Sequence, residues 1–170
     1  MKRIILILAI ALGAINLQAQ TDSAYVYYWE DTMEDKMYYT PSYDLVVANE
    51  SKTKGSKISI HLKDGEFRFL TAELIGLGNC VEDNTIIILF EDNTKITLTS
   101  WNDFNCNGAA YFKVDTNERN KLTTLEVKTI RVTNGYNHES ITSSDMSNNR
   151  YFIQLFYSIN TKEFTHLQDN

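Results

Sequence analysis

The sequence predicts an α+β domain built mainly from an antiparallel sheet, and three observations indicate it. Short β-rich runs recur along the chain with turn residues between them, a pattern typical of sheet proteins. One short segment carries a helix-capping pattern, and an apolar run near the C-terminus has helical spacing. We therefore expect an antiparallel sheet with a short helix and a C-terminal helix packed on one face.

The first nineteen residues have the pattern of a secretory signal peptide. Lys2 and Arg3 precede an apolar run over residues 4–12, and the small residue Ala19 ends the segment. The run is shorter than the ~20 apolar residues that a spanning helix needs. The sequence therefore predicts cleavage near Ala19 and a single exported domain over residues 20–170, periplasmic or secreted and without stable membrane insertion.

Composition and charge exclude several classes of protein. The chain is 43% hydrophobic and 12% aromatic, which is typical of a folded domain and not of a disordered one. Loss of Lys2 and Arg3 with the signal peptide leaves 14 basic and 22 acidic residues, a net charge of −8. Because nucleic acids are bound through basic surfaces, we expect no nucleic-acid partner. A protein or carbohydrate ligand fits this composition, and no cofactor is expected.

The first half of the domain is predicted to contain four strands. They are expected at Tyr25–Glu30, Tyr43–Ala48, Lys57–Leu62 and Glu66–Leu70. Residues 63–65 (KDG) join the last two into a hairpin. The segment between the first two strands includes the acidic run 30–35 and Pro41, and it is interpreted as a solvated loop.

The second half begins with a predicted hairpin of Thr85–Phe90 and Thr94–Thr99. A two-residue turn at Asp92-Asn93 would place Leu89 opposite Ile96. The first strand of this hairpin is apolar in both alternating phases, so we expect it to be central in its sheet.

Two later strands are predicted at Ala110–Val114 and Thr129–Thr133. The second ends at Asn134-Gly135, a strong turn dipeptide. A two-residue turn there would place His138 opposite Arg131.

Two helices complete the prediction. Asp115 and Glu118 have the spacing of a capping box, which predicts a short helix through Leu122. The run Arg150–Asn160 fits both helical and alternating periodicity. We interpret it as a helix, because Asp145 and Ser147 are suitable N-caps and the run is long for an edge strand.

Cys80 and Cys106 are the two cysteines of the chain. An exported protein matures in an oxidising compartment, so the pair is predicted to form a disulfide. In the predicted hairpin register both cysteines lie at its open end, where a bridge is geometrically feasible.

Aromatic residues near the N-terminus form the candidate binding surface. The ring-bearing residues proposed to contact a ligand or partner are Tyr25, Tyr27, Trp29, Tyr38 and Tyr39. Exposed tyrosine and tryptophan combine a large apolar area with a polar group, which suits sugar faces and protein interfaces. The alternative interpretation is that one side of this strand packs in the core.

One segment resembles the opening of a calcium-binding loop. Asp103, Asn105 and Asn107 are followed by Gly108, the D-x-N-x-N-G spacing. The twelfth position is Val114, where such loops carry a bidentate glutamate. A polar turn is therefore favoured, and no metal site is expected.

The sequence gives no catalytic residue. His61, His138 and His166 are isolated in sequence, and no recognisable hydrolase or metalloprotease motif is present. His61 alternates with Ile60 and Leu62, so its side chain is expected to point to solvent. We expect a binding or interaction module of the bacterial envelope. An inhibitor or immunity-type protein against a basic enzyme is the alternative, and a small hydrolase is less favoured.

Overall fold

The structure, a computed structural model, describes residues 24–33, 36–41, 45–63, 66–77, 83–101, 109–143, 148–161 and 164–167 of the 170-residue chain. In these ranges the chain forms eleven strands and two helices. The strands are β1 (Ala24–Asp31), β2 (Lys36–Pro41), β3 (Leu45–Ala48), β4 (Gly55–Lys63), β5 (Glu66–Ile75), β6 (Thr85–Phe90), β7 (Lys95–Thr99), β8 (Ala109–Phe112), β9 (Val127–Thr133), β10 (Ser140–Ser143) and β11 (Phe164–Leu167). The helices are α1 (Thr116–Thr124) and α2 (Tyr151–Thr161).

The described strands form two sheets. The larger sheet has seven strands in the order β11-β1-β2-β4-β5-β8, with β3 paired to the first half of β4. The smaller sheet has the order β10-β9-β6-β7. Neighbouring strands are antiparallel except β1 and β11, which are parallel. The prediction of an α+β fold with a mainly antiparallel sheet is confirmed.

The two sheets and both helices contribute to one hydrophobic core. Alternation along β4 buries Ile58, Ile60 and Leu62, and β6 shows the same alternating burial. β6 lies between β9 and β7, so the prediction that it is central in its sheet is confirmed. Other core residues come from β5, β8, β9, α1 and α2: Leu70, Ala72, Leu74, Ala110, Phe112, Leu122, Val127, Ile130, Val132, Tyr151, Phe152, Leu155 and Phe156. The opposite face of the larger sheet is therefore free to carry other residue types.

Both predicted helices are confirmed. In α1 the capping box is complete, because the Glu118 amide donates to Asp115 Oδ1 and the Asp115 amide donates to Glu118 Oε2, both at 2.8 Å. In α2 the helical interpretation of residues 150–160 is correct. The predicted N-caps Asp145 and Ser147 lie outside the described residues. Asn148 Oδ1 accepts a hydrogen bond from the Arg150 amide just before the helix begins.

The predicted register of the β6–β7 hairpin is wrong by one residue. Ile88, not Leu89, pairs with Ile96. The connection is a three-residue loop over residues 91–93, with Asn93 at a φ of 65°, instead of a two-residue turn. With this loop, the buried residues of the two strands lie on the same face of the sheet. The predicted register would instead have placed Leu89 on the core side.

The predicted turn after β9 is also wrong. Arg131 pairs with Thr142, and its Nε donates to Thr142 Oγ1 at 3.0 Å. Six residues, 134–139, separate β9 from β10, so His138 does not oppose Arg131. His138 is exposed and has a φ of 59°.

The segment interpreted as an acidic loop contains a strand. Residues 36–41 form β2, which pairs with β1 and β4. Pro41 is the last residue of this strand, a position that tolerates the missing amide. The short strands β10 and β11 were not predicted either, because four residues give too little periodicity to distinguish a strand from a turn.

Candidate functional site

Four ring-bearing residues meet on the face of the larger sheet opposite the core, here called the outer face. They are His61 on β4, Phe69 on β5, Tyr111 on β8, and Trp101, which follows β7. Each of the four is adjacent in sequence to a buried residue of its own segment. We call these four residues the aromatic cluster. Its rings therefore belong to the side of the sheet that faces away from the hydrophobic core.

Ring contacts hold the aromatic cluster together. Phe69 is central: its ring centroid lies 4.6 Å from His61 in a stacked arrangement. It also lies 5.5 Å from Trp101 and 5.7 Å from Tyr111, both edge-on. The rings of Trp101 and Tyr111 are nearly parallel, with centroids 5.9 Å apart. Each of these separations lies in the range of favourable aromatic pairs.

A change of sheet by the chain places Trp101 in the cluster. The Ser100 amide donates to the Asn84 carbonyl at 2.9 Å, which extends the β6–β7 ladder by one residue. The next amide, that of Trp101, donates instead to the Tyr111 carbonyl at 3.0 Å. Ser100 Oγ also accepts from the Asn84 amide at 3.1 Å and thereby fixes the crossing point. Trp101 is thus held beside β8 by backbone hydrogen bonds.

His61 is half-buried within the cluster. Its Nε2 lies 3.3 Å from Thr71 Oγ1, and Phe69 covers one face of its ring. Burial lowers the pKa of the imidazole below its ordinary value, because desolvation disfavours the charged form. The residue is on the side of β4 that the sequence predicts, but it is more enclosed than the expected solvent position.

A half-open depression lies at the Trp101 end of the cluster. Its volume is about 470 Å³, and its lining residues are Phe69, Trp101, Lys113 and Val114. Trp101 is 42% exposed, and Lys113 Nζ lies 5.8 Å from the centre of its ring. The depression thus combines aromatic surface with one cationic group.

The predicted aromatic residues of β1 and β2 can be placed by backbone register. Tyr38 is opposite Trp29 on one side and Lys63 on the other, and Lys63 shares the phase of His61. Tyr39 is opposite Leu62, which belongs to the core phase. Tyr38 and Trp29, with Tyr25 and Tyr27 by alternation, are therefore in register with the outer face, whereas Tyr39 is not. The side chains of these strands lie outside the described part of the chain.

Sequence reasoning missed Phe69, Trp101 and Tyr111. A signal for two of them was present, because Phe69 and Tyr111 each precede a buried residue, Leu70 and Phe112, on the same strand. An aromatic residue in the polar phase of a strand indicates a second, specialised face. Trp101 had no such signal, since its position depends on the pairing of distant segments.

Cys80 and Cys106 lie outside the described residues, as do Asp103, Asn105 and Asn107 of the calcium-loop pattern. The disulfide between the two cysteines therefore stays a prediction. Within the described ranges, no group of three His, Cys, Asp or Glu side chains is placed to hold a metal ion.

A second exposed aromatic residue lies on the loop over residues 134–139, here called the braced loop. Tyr136 is 77% exposed at its tip. Beneath it, the buried Asn134 accepts from the amides of Tyr136 and Asn137 at 2.8 and 3.2 Å. Asn134 Nδ2 and Asn137 Nδ2 both donate to the Leu77 carbonyl, at 2.5 and 3.2 Å.

Two further contacts fix the braced loop to its surroundings. The Gly135 amide donates to Asn84 Oδ1 at 3.2 Å, and Glu139 forms an ion pair with Lys54. Tyr136 is thus presented on a loop whose base is connected to three other segments of the chain.

No helix in the described part of the chain has both the length and the apolar character needed to cross a bilayer. Comparison of the chain with protein-family models, curated proteins and solved structures finds no significant match.

Proposed function

We propose that this protein is an exported binding module that recognises its ligand with the aromatic cluster. The observation that carries the proposal is the depression beside Trp101, where a 42% exposed indole adjoins Lys113, and where the other described lining residues are the apolar Phe69 and Val114. Ligand sites are typically concave and mostly apolar, with a few polar groups that orient the ligand. The depression has these properties on a small scale.

The arrangement of the rings supports binding in preference to a purely structural role. The larger sheet already buries a full set of aliphatic residues on its core side. The grouped aromatic residues on the opposite side add nothing to that core: Trp101 is exposed and the other three rings are half-buried beside it. Apolar surface grouped in this way generally marks an interaction site. The backbone hydrogen bond from Trp101 to Tyr111 holds the exposed ring in place before any ligand arrives. A site held in this way loses little side-chain entropy on binding.

The N-terminal sequence supports the export part of the proposal. Its charge, apolar length and small residue at position 19 fit a cleaved signal peptide. A module of the bacterial envelope would meet polysaccharides and proteins, both of which aromatic surfaces bind.

The proposal is tested by following the Trp101 indole during titration with candidate ligands. The chain has two tryptophans, so an NMR spectrum of the mature protein contains two indole N–H signals, and a Trp29→Phe variant assigns them. The probes are neutral oligosaccharides, acidic oligosaccharides and tyrosine-rich peptides. We expect a binding probe to shift the Trp101 signal, and Trp101→Ala to abolish the binding that calorimetry measures.

Tyr136→Ala is the matched control for this experiment, because it removes an exposed ring from the braced loop and leaves the aromatic cluster intact. We expect it to retain full affinity. A ligand that still binds the Trp101→Ala variant but does not bind the Tyr136→Ala variant would contradict the proposal. That outcome would favour the alternative function, an inhibitor that recognises a protein through an exposed tyrosine hot spot. A panel in which nothing binds also contradicts the proposal.

A further inference from the structure

We infer that the ligand of the aromatic cluster is an acidic saccharide, with a sugar ring against Trp101 and a carboxylate at Lys113. The inference rests on the proposed function and goes beyond it by naming the chemical class of the ligand. Two properties of the depression lead to this class: a lysine that forms no ion pair with a carboxylate of the described residues, and an adjoining exposed ring.

Lys113 supplies the charge. It is exposed and lines the depression with Phe69, Trp101 and Val114, none of which is acidic. In the part of the chain that the structure describes, no carboxylate forms an ion pair with Lys113, whereas Lys54 and Lys57 are paired with Glu139 and Glu73. Its ammonium therefore has donors available for an anionic ligand.

The negative charge of the whole protein does not prevent such a contact. Charges are screened beyond about 8 Å at physiological ionic strength, so the groups nearest to the ligand dominate. Among the residues that the structure describes, the groups that line the depression are Phe69, Trp101, Lys113 and Val114. An acidic ligand is therefore complementary to the depression although the chain as a whole carries more acidic than basic residues.

Trp101 supplies the surface for the sugar ring. The face of an indole carries negative potential, and the C–H groups on one side of a pyranose present weakly positive hydrogens. Lys113 Nζ lies over the Trp101 ring, 5.8 Å from its centre, so a ligand unit that packs against this face of the indole also meets the ammonium. A uronic acid residue carries a carboxylate on such a pyranose ring and meets both requirements.

The outer face has room for a ligand of several units. From Phe69, which lines the depression, the row of rings continues to His61 on β4. Backbone register places Tyr38 and then Trp29 beyond Lys63 in the phase of His61, so ring-bearing positions recur across the sheet. Lys63 is opposite Glu66, so Lys113 is the cation on which the inference rests.

The test compares trigalacturonate with its fully methyl-esterified form, which keeps the sugar rings and removes the charges. We expect calorimetry to show about fivefold tighter binding of the acid, the size that one exposed ion pair supports. Lys113→Met should abolish this preference, because it removes the ammonium and keeps most of the aliphatic side chain. Lys128→Met is the matched control, since Lys128 is an exposed lysine of the smaller sheet bonded to Asn93. It should keep the preference.

Each alternative outcome separates this inference from the proposed function. Equal affinity for the two probes, together with a shift of the Trp101 indole signal, would overturn the acidic ligand and leave the binding module intact. Equal loss of preference in Lys113→Met and Lys128→Met would overturn it as well, because it would indicate general charge attraction. Absence of binding by both probes would refute the acidic saccharide, and the wider ligand panel would then decide the proposed function. Binding of both probes without a Trp101 shift would refute both proposals.

Discussion

The aromatic cluster and the braced loop both bring aromatic side chains to solvent, but different forces hold them there. The rings of the cluster stand on paired strands and contact one another at centroid distances of 4.6–5.9 Å. Tyr136 stands on a loop that is fixed by hydrogen bonds in which Asn134 and Asn137 Nδ2 donate to Leu77, and in which Asn134 and Asn84 Oδ1 accept from backbone amides of the loop. The cluster thus depends on ring packing and strand ladders, and the loop depends on a few buried polar contacts.

This difference has a consequence for mutations. Three of the four ring contacts involve Phe69, but His61 and Tyr111 are also held by the pairing of their own strands, so a single change in the cluster leaves the other rings in place. The braced loop converges on Asn134, whose amide group reaches Leu77, Tyr136 and Asn137. Removal of one partner in a buried polar network leaves the others unsatisfied, and the loss is larger than that of an average hydrogen bond.

The predicted disulfide would connect the two regions, and its removal should have the largest effect. Cys80 lies in sequence between Leu77 and Asn84, which support the braced loop, and Cys106 lies between Trp101 and Tyr111 of the cluster. We expect the exported protein to be lighter by two hydrogen atoms than its reduced form in an intact-mass measurement. A Cys80→Ser/Cys106→Ser variant should unfold in urea with a free energy lower by roughly 3–4 kcal/mol, from the loss of loop closure.

The reduced wild-type protein is the control for the disulfide, since it has no bridge but keeps both cysteines. It should match the double serine variant in stability. Detection of two free thiols in the exported protein would show that no bridge forms. Equal unfolding free energies of oxidised and reduced protein would show that a bridge, if formed, does not constrain the unfolded chain.

Asn134→Ala should have the next largest effect and should act on the braced loop alone. The substitution removes a buried amide and leaves backbone groups of the loop without partners, which should lower the free energy of unfolding by about 2–3 kcal/mol. Amide hydrogen exchange at Tyr136 and Asn137 should accelerate, while exchange in β5 and β8 should follow only the global change.

Asn137→Ala is the matched control, because Asn137 donates to the same Leu77 carbonyl but is itself exposed. It should cost less than Asn134→Ala. If the two variants are equally stable, Asn134 is not the point on which the loop depends, and the contrast between the two regions fails.

The sequence was sufficient to predict the parts of the fold that depend on local patterns. The capping box of α1 involves residues only three positions apart, and the apolar residues in both phases of β6 predict its central place between β9 and β7. Both features follow from local chemistry, and both predictions are confirmed.

Features that depend on distant pairing were missed or wrong. The loop over residues 91–93 sets the β6–β7 register, and its three-residue form follows from the need to place Ile88 and Ile96 on one face. Trp101 enters the cluster because its amide bonds to Tyr111 on another sheet. Neither the composition nor the spacing of the surrounding residues contains this information.

The aromatic residues of β1 and β2 also show the difference between what local sequence patterns predict and what depends on strand pairing. Alternation was enough to group Tyr25, Tyr27 and Trp29, since residues two apart share a face. It could not assign Tyr38 and Tyr39, because that requires the register of β2 against β1 and β4. The register separates the two tyrosines into opposite phases, although they are adjacent in sequence.

The smallest predicted effect belongs to the aromatic cluster and concerns pH. Burial lowers the pKa of His61 in the folded protein, so the unfolded chain binds a proton more readily than the folded one. The contribution of His61 to stability should therefore be fully present above about pH 6.5, the pKa of histidine in an unfolded chain. It should be lost as the pH falls toward the lower pKa of His61 in the folded protein. The slope should stay below the ~1.4 kcal/mol per pH unit that one fully linked proton gives.

His61→Gln should remove this contribution to the pH dependence, because glutamine does not titrate. His138→Gln is the control, since His138 is exposed on the braced loop; it should leave the slope between pH 5 and pH 7 close to that of the wild type. The measurement is the unfolding free energy in urea across this range, chosen to bracket the ordinary histidine pKa of about 6.5. If the pH dependence of the unfolding free energy disappears in His138→Gln and persists in His61→Gln, it does not come from the histidine of the aromatic cluster. That result would contradict the prediction.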